Sequence, residues 1–358
     1  MRSRSAVDAV TPAFQRTKEL LFAPFQLRRW AKLALLAMLM GGSGGGGGVR
    51  GPSFPSGGGP GGGGGGGAPD FGPLRDWVAL HHDLMILGIV AAVVLLLLLS
   101  FLFSYLGSVA RFVFMDSVIH DRVEIRRRWH ELRGPGWSFC LFQWGIGLLF
   151  LGLMGLMVGL PVLAAYNGGA FENWDANATV GLVLLIIAAV FLFIFLALLV
   201  GVIMSLTRDL VLPVMYLRNE KVLLAWSSVW PKVKGNAGSV AVYVLLKIAL
   251  GMGAAIGAAL VSLVGALVLC IPLGLIGLFV YGVIVGLHLT WSWYWLWAII
   301  PLGFILLLGI GYFFSLLLLP IPVFFQSYAL KYLGYLDDSL VTIADVAPGG
   351  IALAGQSP

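Results

Sequence analysis

Long apolar runs are the feature that most constrains this sequence. Five of them reach 20 residues or more, which is enough for a helix to cross the roughly 30 Å hydrocarbon core of a bilayer. Charged residues make up only 11% of the chain, against about 25% in a soluble domain, so a water-soluble globule of this size would lack polar surface. The sequence predicts an integral membrane protein whose spans are residues 84–106, 139–166, 180–206, 240–270 and 299–319.

Two further apolar segments leave the number of spans open. Residues 24–42 contain Arg28, Arg29 and Lys32, whose long side chains can reach the headgroups from a helix end, and we interpret this segment as a short first span. Residues 272–287 are apolar but short. If they cross the bilayer, the chain has seven spans and ends outside the cell. If they are re-entrant or follow the interface, it has six and ends in the cytoplasm.

The distribution of basic residues predicts the orientation. Residues 1–32 contain seven Lys and Arg, 107–138 contain six, 207–238 contain five, and 167–179 contain none. Because cytoplasmic loops carry an excess of basic residues, these three segments are expected in the cytoplasm and the protein in a bacterial inner membrane. Orientation also explains the net charge of +6, so we do not expect a nucleic-acid partner.

Composition divides the chain further. Of the 27 residues from 41 to 67, 18 are glycine, and such a stretch has little apolar surface to bury against its large loss of backbone entropy. We therefore predict a cytoplasmic amphipathic segment at 1–23, a transmembrane bundle at 24–336 with a flexible Gly-rich loop at 41–72, and a disordered tail at 337–358.

The basic segments contain an internal repeat. Arg111 precedes Trp129 by 18 residues, and Arg208 precedes Trp226 by 18 residues. Residues 28–33 repeat the end of this pattern. We predict an all-α, polytopic transmembrane helical bundle of about six spans, with 272–290 as an extra apolar segment, built from three units of an amphipathic helix followed by a hairpin of spans. Basic amphipathic helices suit anionic lipid headgroups, which we expect at 107–138 and 207–238.

Charged residues at the span ends are the candidate interaction sites. Asp116 and Asp209 accompany Arg111 and Arg208, and we expect Arg–Asp pairs to form across the two repeats and to join the hairpins. Lys247 lies inside a predicted span. It could snorkel to the headgroups, which we favour, form a structural ion pair, or belong to a substrate or proton site.

The same connections carry a resemblance to a known family. Residues 21–30, the Gly-rich loop, 111–129, 208–226 and 322–330 resemble an uncharacterised family of bacterial multi-span membrane proteins, classed only as a domain of unknown function. That family is distantly similar to the membrane domain of some glycerophosphodiesterases. The resemblance implies six spans and a cytoplasmic end of the chain, and it implies no activity. This chain departs from the family at 271–297, where it is longer, and at Gln326, which replaces a basic residue.

No pattern typical of catalysis, cofactor binding or metal binding occurs in the sequence. We therefore predict a non-enzymatic scaffold or partner-binding component of the inner membrane, without a cofactor, that binds a membrane or cytoplasmic protein. The alternative is a transporter or lipid-handling protein with a pathway between the repeats. A transporter is typically expected to have broken helices and polar residues at mid-membrane, and apart from Lys247 few such residues occur.

Overall fold

A computed structural model describes residues 6–22, 25–41, 82–120, 123–167, 176–286 and 294–336. These ranges are helical with short turns, and they contain no strand. The predicted flexible loop, beyond Gly41, and the predicted tail 337–358 lie outside the described residues. The helices are α1 Val10–Phe22, α2 Leu27–Gly41, α3 His82–His120, α4 Ile125–Glu131, α5 Arg133–Asn167, α6 Ala176–Leu206, α7 Leu212–Arg218, α8 Val222–Gly235, α9 Ala237–Gly286, α10 Tyr294–Leu317 and α11 Pro320–Leu336.

Five of the described helices, α3, α5, α6, α9 and α10, are long and apolar enough to cross a membrane. They contain four of the five predicted spans and all but the last two residues of the fifth, 299–319, and the chain is therefore a membrane protein made of apolar helices. α2 has 15 residues, or about 22 Å at 1.5 Å per residue. It is shorter than the hydrocarbon core, so its length alone does not identify it as a membrane-spanning helix.

Helix α9 corrects the interpretation of 272–287. Its 50 residues run from Ala237 to Gly286 with Pro272 inside the helix. No separate crossing or re-entrant turn begins at this proline, while a course of 272–286 along the interface, and with it the number of spans, stays a prediction. Proline removes one backbone hydrogen bond, but a long apolar helix in lipid keeps its other bonds because no water competes for them.

The buried core lies at one end of the long helices. It combines residues of α1 and α2, the last part of α3, the first part of α5, the segments from α7 to the start of α9, and α11. By contrast, the most apolar window of each of the five long helices has between 0% and 6% of its residues buried. The spans are thus held together where the segments 107–138 and 207–238 lie, which we call the basic end.

Aromatic stacking joins α9 to α11 at the basic end. The ring of Tyr243, which is fully buried, lies 5.1 Å from the ring of Tyr328 and 4.2 Å from that of Tyr332, with 14° between the planes in both pairs. The hydroxyls of Ser239 and Tyr332 are 3.2 Å apart. The hydroxyl of Tyr328 donates to the carbonyl of Ala6, just before α1, over 3.2 Å, so the same residue also joins α11 to the start of the chain.

A close approach between α3 and α5 gives a first prediction. A Cβ added at Gly136 would lie 2.6 Å from Cγ2 and 3.2 Å from Cα of the buried Val109. Gly136→Ala should therefore lower the free energy of unfolding by about 1–3 kcal/mol, measured as a lower thermal midpoint in detergent. Gly152→Ala in the same helix, with nothing within 4 Å of the added atom, is the control. Equal midpoints for the two variants would contradict the close packing.

Candidate functional site

Asp116 is the centre of the first polar cluster at the basic end. Its side chain is 4% exposed, and its carboxylate accepts a hydrogen bond from the hydroxyl of Tyr216. Nε of Arg128 lies 3.2 Å from one carboxylate oxygen, and Nδ1 of His120 lies 3.0 Å from the other. Because Tyr216 belongs to α7 and Asp116 to α3, this cluster joins the first repeat to the second.

Asp209 is the centre of the second cluster. It lies in a π-helical turn, Thr207–Val211, that links α6 to α7, and it forms an ion pair with Nζ of Lys247 from α9. Oγ of Ser205 lies 3.3 Å from the carboxylate and 2.9 Å from Nζ of Lys247. Turns of this kind occur often at functional sites.

The environment of Lys247 corrects the favoured interpretation of this residue. Its side chain is only 16% exposed and that of Asp209 only 11%, so the ammonium group remains among protein atoms instead of snorkelling to the headgroups. The physical reason is that Asp209 offers a full negative charge within hydrogen-bond distance. The structural ion pair, which the sequence left open as an alternative, is the arrangement that the structure has.

The two repeat arginines both lie at the basic end. Nη2 of Arg111 donates to the carbonyl of Met40 over 3.3 Å, and its guanidinium carbon is 5.8 Å from the ring centroid of Phe139. Arg208 precedes Asp209 in the π-helical turn. The expected Arg–Asp pairs across the repeats stay a prediction, since the ion pairs described above join Asp116 to Arg128 and Asp209 to Lys247.

The repeat tryptophans help to fix these helices. Nε1 of Trp226 donates to Oγ1 of Thr207 over 3.2 Å, at the start of the π-helical turn. Nε1 of Trp30 donates to the carbonyl of Leu21 over 2.8 Å. Trp129 is half-buried and packs against the core. Each tryptophan therefore contacts the basic-end core from a short helix or from the start of α2.

Sequence reasoning missed several members of the two clusters. Tyr216 lies in the block 208–226 that carries the family resemblance, so this block was a signal for it. His120 and Ser205 are each four residues from a carboxylate, Asp116 and Asp209, a helical spacing that could have indicated these contacts, whereas nothing in the sequence indicated Arg128. Within the described ranges, no group of three or more His, Cys, Asp and Glu side chains could hold a metal ion.

The link between the repeats can be tested at Tyr216. Tyr216→Phe removes the hydroxyl that donates to the buried Asp116, and a buried acceptor that loses a donor costs about 1–3 kcal/mol. We expect a thermal midpoint several degrees lower than that of the wild type. Tyr281→Phe is the control, because Tyr281 is 66% exposed on the apolar part of α9. A Tyr216 variant as stable as this control would show that the contact contributes nothing.

Comparisons with known proteins place the chain in a family but give it no activity. No curated protein and no solved structure matches it. The expected similarity to glycerophosphodiesterase membrane domains and the bacterial origin therefore stay predictions. The model of one family, DUF7544, described as a family of unknown function, matches residues 4–343. Because this match spans nearly the whole sequence, the chain belongs to the DUF7544 family of unknown function.

Proposed function

We propose that the protein is a non-enzymatic scaffold of the cytoplasmic membrane that binds a protein partner through its basic end. The observation that carries this proposal is the position of the core, which is packed at the basic end while the spans are almost unburied. When the packing contacts of a membrane protein are concentrated at one membrane face, that face has a fixed surface to which a partner can bind. A membrane anchor needs only apolar helices elsewhere.

The hydrogen bonds and ion pairs of the two buried carboxylates support this role. Asp116 is held by Tyr216 and Arg128, and Asp209 by Lys247 and Ser205. These partners come from different helices, so each carboxylate joins helices that would otherwise separate. A general base needs access to a substrate proton, whereas the donors on these carboxylates already occupy their oxygens.

The contact between α1 and α11 supports an even number of crossings. Ala6 and Tyr328 are hydrogen bonded, so the chain before α2 and the chain after α10 lie on one side of the membrane. With only five crossings by the long apolar helices, the chain after α10 would lie on the opposite side from the chain before α2. We infer that a sixth crossing precedes α3 and begins with α2, whose last turn at Met40 is still hydrogen bonded to Arg111 at the basic end. The excess of Lys and Arg in 1–32, 107–138 and 207–238 favours the cytoplasm for the shared side.

Thiol labelling tests this topology. In a chain with Cys140→Ala and Cys270→Ser, we expect a membrane-impermeant maleimide to modify Ser56→Cys on intact cells. It should modify Gln15→Cys only after the cells are opened, because Gln15 lies in α1 at the basic end. Modification of both positions on intact cells, or of neither, would contradict six crossings with α1 inside.

The surface of α8 supports contact with lipid headgroups at 207–238. Val222, Ala225, Val229 and Val233 form its buried face. On the outside, Leu223 is 73% exposed and Trp230 is 56% exposed, with lysines nearby in sequence. This combination is typical of a helix in the membrane interface. In α4 the exposed positions are Arg126, Arg127, His130 and Glu131, so headgroup contact at 107–138 would be by charge alone.

The runner-up function is a transporter or a lipid-handling protein. The observation that favours it is the Lys247–Asp209 ion pair beside the π-helical turn, because ionisable residues inside spans often mark a solute or proton pathway. An ion pair with both partners satisfied is also what a structural role requires. The two functions therefore have to be separated by experiment.

Purification of the full chain in mild detergent, with bound proteins and lipids identified by mass spectrometry, separates them. We expect a stoichiometric protein partner that is lost when Arg126→Glu and Arg127→Glu reverse the exposed charge of α4. Exposed residues on a short helix can be changed without opening the core, and Lys234→Glu on α8 is the matched control. A specific bound lipid or solute without any partner would overturn the scaffold proposal and favour transport.

A further inference from the structure

Helix α1 has more than one apolar face. Its buried residues, Ala13, Thr17, Leu20 and Leu21, pack into the basic-end core. Phe14 and Phe22, which are 64% and 54% exposed, form with Lys18 a second row, because residues four apart lie on neighbouring turns of one helix face. Gln15 and Glu19 are exposed in the adjacent row. The surface of α1 thus divides into a core sector, an exposed aromatic sector and a polar sector.

The aromatic sector continues to the point where the chain enters the membrane. Phe25 is 58% exposed and Leu27 is 69% exposed. The rings of Phe22 and Phe25 lie 5.7 Å and 5.5 Å from the ring of Trp30, whose Nε1 is bonded to the carbonyl of Leu21. Because Trp30 belongs to α2, the exposed aromatic residues are fixed beside a helix that leads into the bilayer.

The charges beside this sector indicate what covers it. Lys18 lies between Phe14 and Phe22, and the exposed Arg28 follows Leu27. Scattered apolar residues on a surface need no explanation, but a continuous apolar patch marks an interaction site. Aromatic residues with an interspersed lysine match the boundary between acyl chains and anionic headgroups, where the ring is buried and the ammonium group reaches a phosphate.

We propose that α1 lies in the headgroup region of the leaflet at the basic end, with Phe14 and Phe22 at the acyl boundary and Lys18 at an anionic lipid phosphate. The polar row of Gln15 and Glu19 then faces water. Since α1 packs against α11, and α11 stacks on Tyr243 of α9, anionic lipid that binds α1 stabilises the whole basic-end core by mass action. This attachment is independent of the partner-binding role and of the lipid contacts at 107–138 and 207–238.

Spin labels on opposite rows of α1 measure its position directly. The full chain, with Cys140→Ala and Cys270→Ser, is labelled at Phe14→Cys or at Glu19→Cys and placed in nanodiscs that contain phosphatidylglycerol. The ratio of oxygen accessibility to nickel-chelate accessibility should be several-fold higher at position 14 than at position 19. Equal ratios, with both labels open to the chelate, would overturn the proposal and leave the aromatic sector for a protein partner.

The coupling to the core is tested by stability. Wild-type protein should gain several degrees in thermal midpoint when phosphatidylglycerol replaces phosphatidylcholine in the nanodiscs. The variant Phe14→Ser/Phe22→Ser should lose most of this gain, and Lys18→Ala should lose part of it, while Gln15→Ser should retain it. All four positions are outside the core, but Phe22 contacts Trp30, so the gain of each variant is measured against its own thermal midpoint in phosphatidylcholine. A double variant with the full wild-type gain would overturn the coupling.

Discussion

Lys247→Leu is expected to lower the free energy of unfolding by about 3 kcal/mol or more, since removing one partner of a buried ion pair leaves the other charge uncompensated. The remaining charge is Asp209, whose side chain is 11% exposed and accepts a hydrogen bond from Ser205. Thermal unfolding in detergent, followed by the loss of monodisperse protein, measures the effect. A variant as stable as the wild type would show that the ion pair does not contribute to the free energy of unfolding.

The double variant Asp209→Leu/Lys247→Leu is the decisive companion. Replacing a whole buried ion pair with apolar side chains is often neutral or stabilising, so we expect stability within about 1 kcal/mol of the wild type. Partner binding by this stable variant then separates the proposed functions. Retained binding is expected for a scaffold, in which the pair only joins the π-helical turn to α9. Loss of a bound solute from a stable protein is expected for a transporter.

Tyr243→Ala is expected to have an effect of similar size, about 3–5 kcal/mol, as for other large-to-small substitutions of buried aromatic residues. The ring is fully buried and stacks on Tyr328 and Tyr332. Its removal leaves a cavity between α9 and α11 that the two remaining rings cannot fill without moving. The change should appear as a lower thermal midpoint, together with faster proteolysis of the segment that contains α11.

Two controls isolate the stacking. Tyr243→Phe keeps the ring, so we expect it to retain most of the stability that Tyr243→Ala loses. Tyr281→Ala removes the same number of atoms from the same helix at a site that is 66% exposed, and it should change the unfolding free energy by less than about 0.5 kcal/mol. Equal losses for the variants at 243 and 281 would mean that α11 does not depend on the stack.

The membrane helices could be predicted because one physical property dominates them. Apolar runs of sufficient length have few other stable structures in lipid, and the five spans correspond to five such runs. The continuity of α9 could not be predicted in this way. A proline at the end of an apolar run is typical of a break, but in Ala237–Gly286 the backbone hydrogen bonds on either side of Pro272 preserve the helix.

The candidate site was only partly predictable. The 18-residue spacing directed attention to Arg111 and Arg208, whose role as interaction sites stays a prediction. It could not indicate that Asp116 pairs with Arg128 and Asp209 with Lys247, because partner choice depends on side-chain geometry across helices. The π-helical turn adds one residue to a helical turn and so changes the direction of Asp209, which periodicity arguments at 3.6 residues per turn do not anticipate. The position of the core was also hidden, since apolar residues facing lipid and apolar residues facing protein look alike in sequence.

The pairing of α1 with α11 has a consequence for biosynthesis. The hydrogen bond between Tyr328 and Ala6 spans 322 residues of chain, which a ribosome needs roughly 15–65 s to make at 5–20 residues per second. During that interval α1 is complete while the helix that covers its core sector does not yet exist. The core sector of α1 therefore stays without this partner until the last of these helices has been made.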